Sequence, residues 1–394
     1  MNLQKEINEI SLKLRNEITA VSDYIFNNPE LGDSEFLSSK YLVNLLKENG
    51  FEVEYPYLEI ATAFKAEFGD NSGPNIAFLP EYDALPGYGP DKKNAHACGH
   101  NWIAAITVGA ALVLSKLKDN FKGKIVVIGT PAEETVGRKV DLVNKGAFKN
   151  IDAAFQMHLS STSSLNSWSL AMDAFEFKFK GKASHAAAAP DEGINALDAV
   201  NLTFAGISAL RQQLKSDVRI HGIITKGGYA PNIIPDECAC QFEVRSEKRS
   251  YLNKVSERVK NCAKGAALMT GAKLEISNFE NSFDDLRVNK TLMEIAKKNL
   301  EICGIKDFAE TKSSSGSTDL GNVSHVCPTM YGNIGIGDGK TSPHEEKFLD
   351  YVNSAEAKEK ALMVVQALCY SAIELYENPK ILSKAKGELI NNVN

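Results

Sequence analysis

The fold of this chain is decided by one strand and the residues that follow it. The sequence from 124 to 134 reads KIVVIGTPAEE. Its first part is a β-branched apolar run, typical of a strand that is covered on both faces in a parallel sheet. Glu133 and Glu134 come directly after this run. Because ligands of open α/β sheets gather beyond the carboxyl ends of the strands, the segment predicts an α/β fold with acidic residues at the functional edge.

Two further apolar runs have the same layout. The run at residues 75–80, NIAFLP, is followed by Glu81 and Asp83, and the run at residues 153–157, AAFQM, is followed by His158. Both runs have the length and composition of buried strands. We therefore expect three strand ends to carry carboxylates and an imidazole to one rim of the sheet.

Residues 96–101, HACGHN, add a thiol and imidazoles to these carboxylates. Thiolate and imidazole ligands suit zinc or a similar divalent ion. Of two adjacent glutamates, such as Glu133 and Glu134, one can bind metal while the other moves protons. The combination predicts a metal-activated hydrolase.

A second domain is indicated where the pattern changes at about residue 172. Residues 174–180, AFEFKFK, alternate strictly, which predicts an antiparallel strand with one exposed face. The order of elements that follows, β-α-β-β-α-β, is the ferredoxin-like arrangement. The sequence therefore predicts an α/β catalytic domain over 1–171 and 284–394, with an inserted α+β domain over 172–283.

Composition excludes several classes of partner. The chain has 394 residues, which is long for one ordinary core, and a net charge of -6 without a Lys/Arg-rich block. Nucleic acid and membrane are therefore not expected as partners.

No apolar stretch is long enough to span a bilayer, and the N-terminus lacks the apolar core of a signal peptide. Seven scattered cysteines predict reduced thiols, and we expect a cytoplasmic protein.

Seven ordered motifs carry a resemblance to a known family. They are EYDALPG at 81–87, HACGHN at 96–101, PAEE at 131–134, GKASHA at 181–186, NIIPD at 232–236, GSTD at 316–319 and PH at 343–344. With these motifs the chain resembles the dinuclear-zinc aminoacylase/carboxypeptidase family. Within that family it is similar to the amidohydrolase branch of hippurate hydrolases, auxin-conjugate amidohydrolases and aminobenzoyl-glutamate hydrolases. The resemblance implies a zinc-exopeptidase-like mixed sheet flanked by helices, and an inserted domain that serves as lid or dimerisation domain.

The resemblance also implies a metal centre. Two divalent ions per subunit would be held by Cys98, His100, Glu134, His158 and His344. Zinc is the expected ion, with manganese, cobalt and nickel as alternatives. A divalent ion lowers the pKa of bound water, and Glu133 would act as general base and then as general acid.

Further residues are implied around the substrate. His185 of the inserted domain would stabilise the oxyanion, in its own subunit or in a neighbour's site. Substrate binding is implied for Asn232, Arg245, Ser317 and Thr318. Asp83 is expected to contact a metal ligand and to orient it, rather than to bind the metal itself.

The function predicted from these residues is that of a metal-dependent amidohydrolase or dipeptidase. It would cleave the amide bond of small N-acyl amino acids or dipeptides, as a homodimer or homotetramer. One alternative is a cysteine hydrolase that uses Cys98 and His100, and sensitivity to chelators separates it from the first. Another is a catalytically inactive relative that binds a peptide or a partner protein through the same cleft.

Overall fold

The computed structural model describes residues 3–165, 168–310 and 316–391. Its strands are β1 Glu52–Glu54, β2 Phe64–Gly69, β3 Asn75–Phe78, β4 Lys124–Gly129, β5 Ala153–Ser160, β6 Ala171–Lys180, β7 Arg219–Lys226, β8 Glu237–Ser246, β9 Lys273–Asn278 and β10 Thr329–Gly335. Its α-helices are α1 Leu3–Lys13, α2 Arg15–Asn27, α3 Phe36–Glu48, α4 His100–Ser115, α5 Arg138–Asn144, α6 Ala196–Leu210, α7 Arg249–Thr270, α8 Lys290–Ile302, α9 Leu320–Val326, α10 Leu349–Val352, α11 Ala355–Glu377 and α12 Pro379–Asn391.

Backbone contacts divide the chain into two compact units. The first unit comprises Met1–Trp168, Leu286–Ser314 and Asn322–Asn394, and the second comprises Ser169–Asp285 and Ser315–Gly321. The second unit thus includes a short segment, up to Gly321, that the sequence had assigned to the catalytic domain. This segment is held by the backbone of the second unit, because the amide of Leu170 donates a hydrogen bond to the carbonyl of Gly316 over 2.8 Å.

The first unit is built on a six-stranded mixed sheet in the order β1-β2-β4-β3-β5-β10. The four strands β4, β3, β5 and β10 are parallel to one another, while β1 and β2 are antiparallel additions at the β4 edge. The strand predicted at residues 124–130 lies inside this sheet as β4, and its residues from Ile125 to Gly129 are buried. These observations confirm the α/β class.

Helix α4 is the central helix of this unit. Every residue from His100 to Ser115 is buried, because α4 packs against α2 and α11 as well as against β4 and β5. A helix that is apolar on all sides must be covered on all sides, and this one is. The sequence alone predicts a helix from about Trp102 to Lys118, but the helix begins at His100, which therefore belongs to its first turn.

The second unit is an antiparallel sheet in the order β7-β8-β6-β9 with α6 and α7 packed against it. Its elements follow one another as β-α-β-β-α-β, which confirms the ferredoxin-like arrangement. The core is apolar and aromatic, with Phe175, Phe177 and Phe242 among its fully buried side chains.

Two chain-wide features bear on function. Within the part of the chain that the structure describes, no helix is long and apolar enough to cross a membrane. All seven cysteines fall within the described residues and are free thiols, as predicted.

Candidate metal centre

The candidate side chains of the first unit come from neighbouring parallel strands. Asp83 follows β3, Glu133 and Glu134 follow β4, and β3 lies beside both β4 and β5 in the sheet. His158 lies within β5 rather than after its end, since β5 continues to Ser160. The carboxyl ends of three adjacent strands thus supply these groups, as the sequence predicted.

The structure brings the five side chains proposed as metal ligands together. The Cys98 Sγ atom lies 3.4 Å from His158 Nε2, and Glu134 Oε1 lies 3.0 Å from His344 Nε2 and 3.8 Å from His100 Nε2. Within the first unit, the potential donor atoms form three overlapping groups, each with all of its atoms within 4.8 Å of one another. These groups are Cys98 with His100 and His158, Cys98 with Glu134 and His344, and His100 with Glu133 and Glu134.

Unusual backbone angles make this convergence possible. Gly99, between Cys98 and His100, has a φ of 85°, which glycine adopts without steric cost and which lets α4 begin immediately afterwards. His344 is also left-handed, with a φ of 67°, and its amide donates a hydrogen bond to the carbonyl of Ala97 over 3.0 Å. This bond fixes the loop that carries His344 beside the loop that carries Cys98.

The turn that separates Glu133 from Glu134 has a different origin from the one expected. A proline directly after a strand, as at Pro131, predicts that the backbone turns there, but the left-handed residue is Ala132, with a φ of 59°. Such a conformation is unfavourable for a non-glycine residue and needs support from its surroundings.

Asp83 contacts two of the candidate ligands, as expected of a residue that orients them. Its Oδ1 atom lies 2.7 Å from His100 Nδ1, and its Oδ2 atom accepts a hydrogen bond from the amide of Glu134 over 2.9 Å. Asp83 is 1% exposed and His100 is fully buried. Because Nδ1 of His100 is taken by Asp83, the other ring nitrogen, Nε2, is the one directed at the cluster.

We expect Asp83→Asn to lower metal affinity by about 10- to 100-fold, since the amide nitrogen cannot accept from the Glu134 backbone and His100 loses its charged partner. Metal binding by isothermal titration calorimetry measures this. Glu59→Gln, which changes an exposed carboxylate of the same unit, is the matched control. Equal metal affinity in Asp83→Asn and the control would show that Asp83 does not orient the ligands.

The protonation and bonding of the donors fit a divalent cation. Among the described residues, His100 Nε2 is buried without a hydrogen-bond partner, and its nearest acidic oxygens are 3.6 and 3.8 Å away. Buried polar atoms rarely lack a partner, so this nitrogen fits the role of a donor to a cation. His158 Nδ1 lies 2.5 Å from the Leu159 carbonyl, which leaves Nε2 available. A set of thiol, imidazole and carboxylate donors is the set that zinc prefers.

The charges at the cluster are strongly perturbed. Burial raises the pKa of the Cys98 thiol well above its usual value, and the charge of Glu134 raises it further. The position of Cys98 just before α4 favours the thiolate through the helix dipole, but desolvation outweighs this effect and favours the neutral thiol. Burial alone would raise the pKa of Glu134, but the hydrogen bond from His344 and the charge of His100 lower it to about 2. Glu134 is therefore the carboxylate that stays ionised.

Two acids beside this cluster are buried and paired in ways that the sequence did not predict. Glu81 is 2% exposed, and its Oε1 atom lies 2.5 Å from the ammonium of Lys139, which is itself fully buried. Glu35 is fully buried and accepts hydrogen bonds from Ala132 and Thr62. Charged residues are rarely buried unless they are paired, so neither residue is marked as internal by its type. The acidic motif at residues 81–83 was the one available signal for Glu81.

The residues of the second unit that the sequence resemblance links to the substrate form two small groups. The Ala186 amide donates to the Asn232 carbonyl over 3.0 Å, so Asn232 and His185 lie on adjacent segments. Arg245 donates to Ser317 Oγ over 3.4 Å. Arg245 also forms an ion pair with Glu243 at 2.7 Å. This ion pair gives Arg245 a structural role. Thr318 Oγ1 accepts a hydrogen bond from the Leu320 amide over 3.3 Å.

The hydrogen bonds of His185 determine which of its ring nitrogens can donate a hydrogen bond. Its Nδ1 atom accepts hydrogen bonds from the backbone amides of Ala187 and Ala188, over 3.2 and 3.1 Å. A neutral imidazole whose Nδ1 accepts carries its proton on Nε2. The side chain is exposed, so this N–H is accessible to a ligand.

A mixed sheet whose strand ends gather soft and hard donors beside an additional glutamate is the architecture of a metal-dependent hydrolase. Residues 77–368 match the peptidase family M20/M25/M40. The chain belongs to this family, which confirms the resemblance seen in the sequence. It is thus a hydrolase of amide bonds, and its family is metal-dependent.

Individual relatives agree with this assignment. The chain is 36% identical over 390 residues to the Xaa-Arg dipeptidase of Mus musculus, a match that covers 94% of this chain and 88% of that protein. It is 28% identical over 278 residues to the N-acetyl-L-cysteine deacetylase of Bacillus subtilis (strain 168), covering 66% of each chain. The fold is similar to the crystal structure of a dinuclear metal-binding peptidase of the M20 family from Bacillus subtilis, with a TM-score of 0.67, 22% identity and coverage of 94% and 99%.

Proposed function

We propose that this protein is a metal-dependent dipeptidase or amidohydrolase that cleaves small dipeptides or N-acyl amino acids. The observation that carries the proposal is the convergence of five donor side chains, from Cys98 to His344, beside Glu133. A dipeptide substrate is favoured, because the similarity to the Xaa-Arg dipeptidase extends over 94% of the chain.

Two divalent ions, with zinc as the first choice, would be held by Cys98, His100, Glu134, His158 and His344. Two of the donor groups share Cys98, which suits a pair of neighbouring cations better than a single one. When bound, such ions supply a water of lowered pKa and polarise the scissile carbonyl. Manganese, cobalt and nickel accept similar donors, and the metal used in the cell is a matter for measurement.

Glu133 is proposed as the general base and acid. Its carboxylate lies within 4.8 Å of donor atoms of His100 and Glu134, beside the proposed ligands. Glu133 would take the proton from the attacking water and deliver it to the departing amine. This proton transfer requires that the Glu133 carboxylate can form hydrogen bonds to both the water oxygen and the amine nitrogen.

His185 is proposed to stabilise the oxyanion by donating its Nε2 proton. The two backbone amides at Nδ1 support this role, since they hold the imidazole in the required tautomer. Asn232, Arg245, Ser317 and Thr318 are proposed to bind the polar ends of the substrate. The second unit would then act as the lid or dimerisation domain, and we propose a cytoplasmic homodimer or homotetramer.

We expect His185→Ala to lower kcat by about 10²- to 10³-fold with little change in KM, because an oxyanion donor acts mainly on the transition state. Steady-state kinetics on a dipeptide measure this. His221→Ala, which removes an exposed imidazole from β7 of the same unit, is the control and should keep wild-type kinetics. A raised KM with unchanged kcat would instead make His185 a ground-state binding residue.

The proposed function is tested with purified protein loaded with zinc, manganese, cobalt or nickel. The substrates are dipeptides with basic, acidic and apolar C-terminal residues, β-alanyl dipeptides, N-acyl amino acids and aminobenzoyl-glutamate. We expect hydrolysis that a chelator abolishes and that added metal restores. Absence of hydrolysis across the panel would favour an inactive, peptide-binding relative.

A cysteine hydrolase is the enzyme alternative, and one contact favours it, because Cys98 Sγ lies 3.4 Å from His158 Nε2. Cys98 is 8% exposed and burial raises its pKa, whereas cysteine nucleophiles have lowered pKa values and are partly exposed. Activity that survives chelation but is lost on alkylation of Cys98 would support this alternative.

A further inference from the structure

The backbone turn just before the proposed general base is strained and must be held in place by contacts from other residues. Ala132 has a φ of 59°, immediately before Glu133, and it is fully buried. An L-residue with a side chain rarely adopts this angle unless the surroundings impose it. The direction in which Glu133 leaves the backbone depends on this residue, so whatever holds Ala132 also sets Glu133.

One buried carboxylate holds the amide of Ala132. Glu35 Oε1 accepts its hydrogen bond over 2.7 Å, and Glu35 Oε2 accepts from the hydroxyl of Thr62 over 2.9 Å. Ala132 and Glu35 are 97 positions apart in the chain. On the other side of Glu133, the amide of Glu134 is held by Asp83. Two acids thus fix the backbone on either side of the proposed base.

The segment that carries Glu35 fits closely against this turn. A Cβ atom at Gly32 would lie 2.2 Å from Thr135 Oγ1 and 3.0 Å from the Ala132 Cα, so only glycine allows the approach. The same segment contacts the Asp83 loop, because the Ala84 amide donates to the Glu30 carbonyl over 2.8 Å. The N-terminal segment 30–35 therefore supports both loops that define the geometry around Glu133.

We propose that Glu35 is a positioning residue for amide hydrolysis, which acts by accepting the Ala132 hydrogen bond and so fixing the direction of Glu133. This inference rests on the proposed function. Glu35 contacts the Ala132 amide and Thr62 and acts on the chemistry through the backbone.

The property of Glu35 that the turn requires is the length of its side chain, which places an acceptor oxygen at the Ala132 amide, rather than its charge. Burial, with the nearby charge of Asp83, raises the pKa of Glu35 to about 8, so a neutral acceptor can replace it near pH 7. Glutamine retains an oxygen at the same distance from the backbone, and its amide group can donate to Thr62. Aspartate retains the charge but is one methylene shorter and withdraws the acceptor from Ala132.

The experiment compares Glu35→Gln with Glu35→Asp. We expect Glu35→Gln to keep kcat within about threefold of wild type and Glu35→Asp to lower it by about tenfold or more, since a buried amide left without its partner destabilises the active turn. KM and metal content should stay close to wild type in both variants. Thr62→Val, which removes the other hydrogen bond to the same carboxylate, is the control and should keep kcat.

Three results would overturn the proposal. The reverse order of activities, with Glu35→Asp active and Glu35→Gln inactive, would make the charge the required property. Equal kcat in folded Glu35→Asp and wild type would show that the bond does not position Glu133. If Glu35→Asp does not fold, Gly32→Ala displaces the same turn, and an unchanged kcat in that variant would count equally against the proposal. An inactive wild-type enzyme would instead refute the proposed function.

Discussion

Glu133→Gln is expected to lower kcat by about 10²- to 10⁴-fold, the range that general acid–base catalysis contributes. Glutamine preserves the shape of the side chain but can neither accept the proton of the attacking water nor deliver one to the leaving amine. Because the donors of the five-residue cluster are unchanged, metal content should equal that of wild type. The measurements are kcat on a dipeptide and metal content by atomic emission spectroscopy.

Glu134→Gln is the matched control for this prediction, since it changes the adjacent carboxylate by the same atoms. We expect that variant to lose metal as well as activity, because Glu134 Oε1 lies within 3.0 Å of His344 and 3.8 Å of His100. If Glu133→Gln lost metal and Glu134→Gln kept it, the roles of the two glutamates would be exchanged.

His158→Ala and Cys98→Ala are expected to lower metal content and to reduce activity by more than about 10²-fold, a larger effect than loss of a residue that only orients a ligand. Cys98 belongs to two of the donor groups and His158 to one, so Cys98→Ala should lose more metal than His158→Ala. Metal content, and activity before and after chelation and reconstitution, measure the effect.

His221→Ala is again the control, because it removes an imidazole outside the cluster and should bind metal as wild type does. Full metal content in Cys98→Ala would remove Cys98 from the ligand set and would reopen the interpretation of the Cys98–His158 contact as a nucleophile and its base.

The parts of the site that the sequence predicted are those that follow buried strands. The apolar run of β4 indicated a parallel sheet, and the topology of such a sheet places Asp83, Glu133 and Glu134 along one edge without knowledge of distant contacts. The ferredoxin-like order of the second unit could be predicted for a similar reason, because alternation and helical periodicity are local signals.

The parts that the sequence did not predict depend on contacts between distant positions. Glu35 reaches Ala132, and Glu81 pairs with Lys139 inside the protein. Neither pairing has a local pattern, and the residue types favour the surface. The left-handed φ of Ala132 was missed because alanine carries no conformational signal comparable to that of glycine. The helical periodicity of the sequence predicts one helix from Ile7 to Asn28, but the structure divides this segment at Leu14 into α1 and α2.

The complete burial of α4 has a consequence for how the apoprotein behaves. His100 lies in the first turn of a helix without an exposed residue, so its backbone can open only when a large part of the unit opens with it. The His100 donor then stays preorganised after metal is withdrawn, and this part of the site needs no refolding to bind metal again. Amide hydrogen exchange at the start of α4 should be equally slow in apoprotein and holoprotein, and metal exchange should depend on access of solvent to the cluster rather than on fraying of the helix.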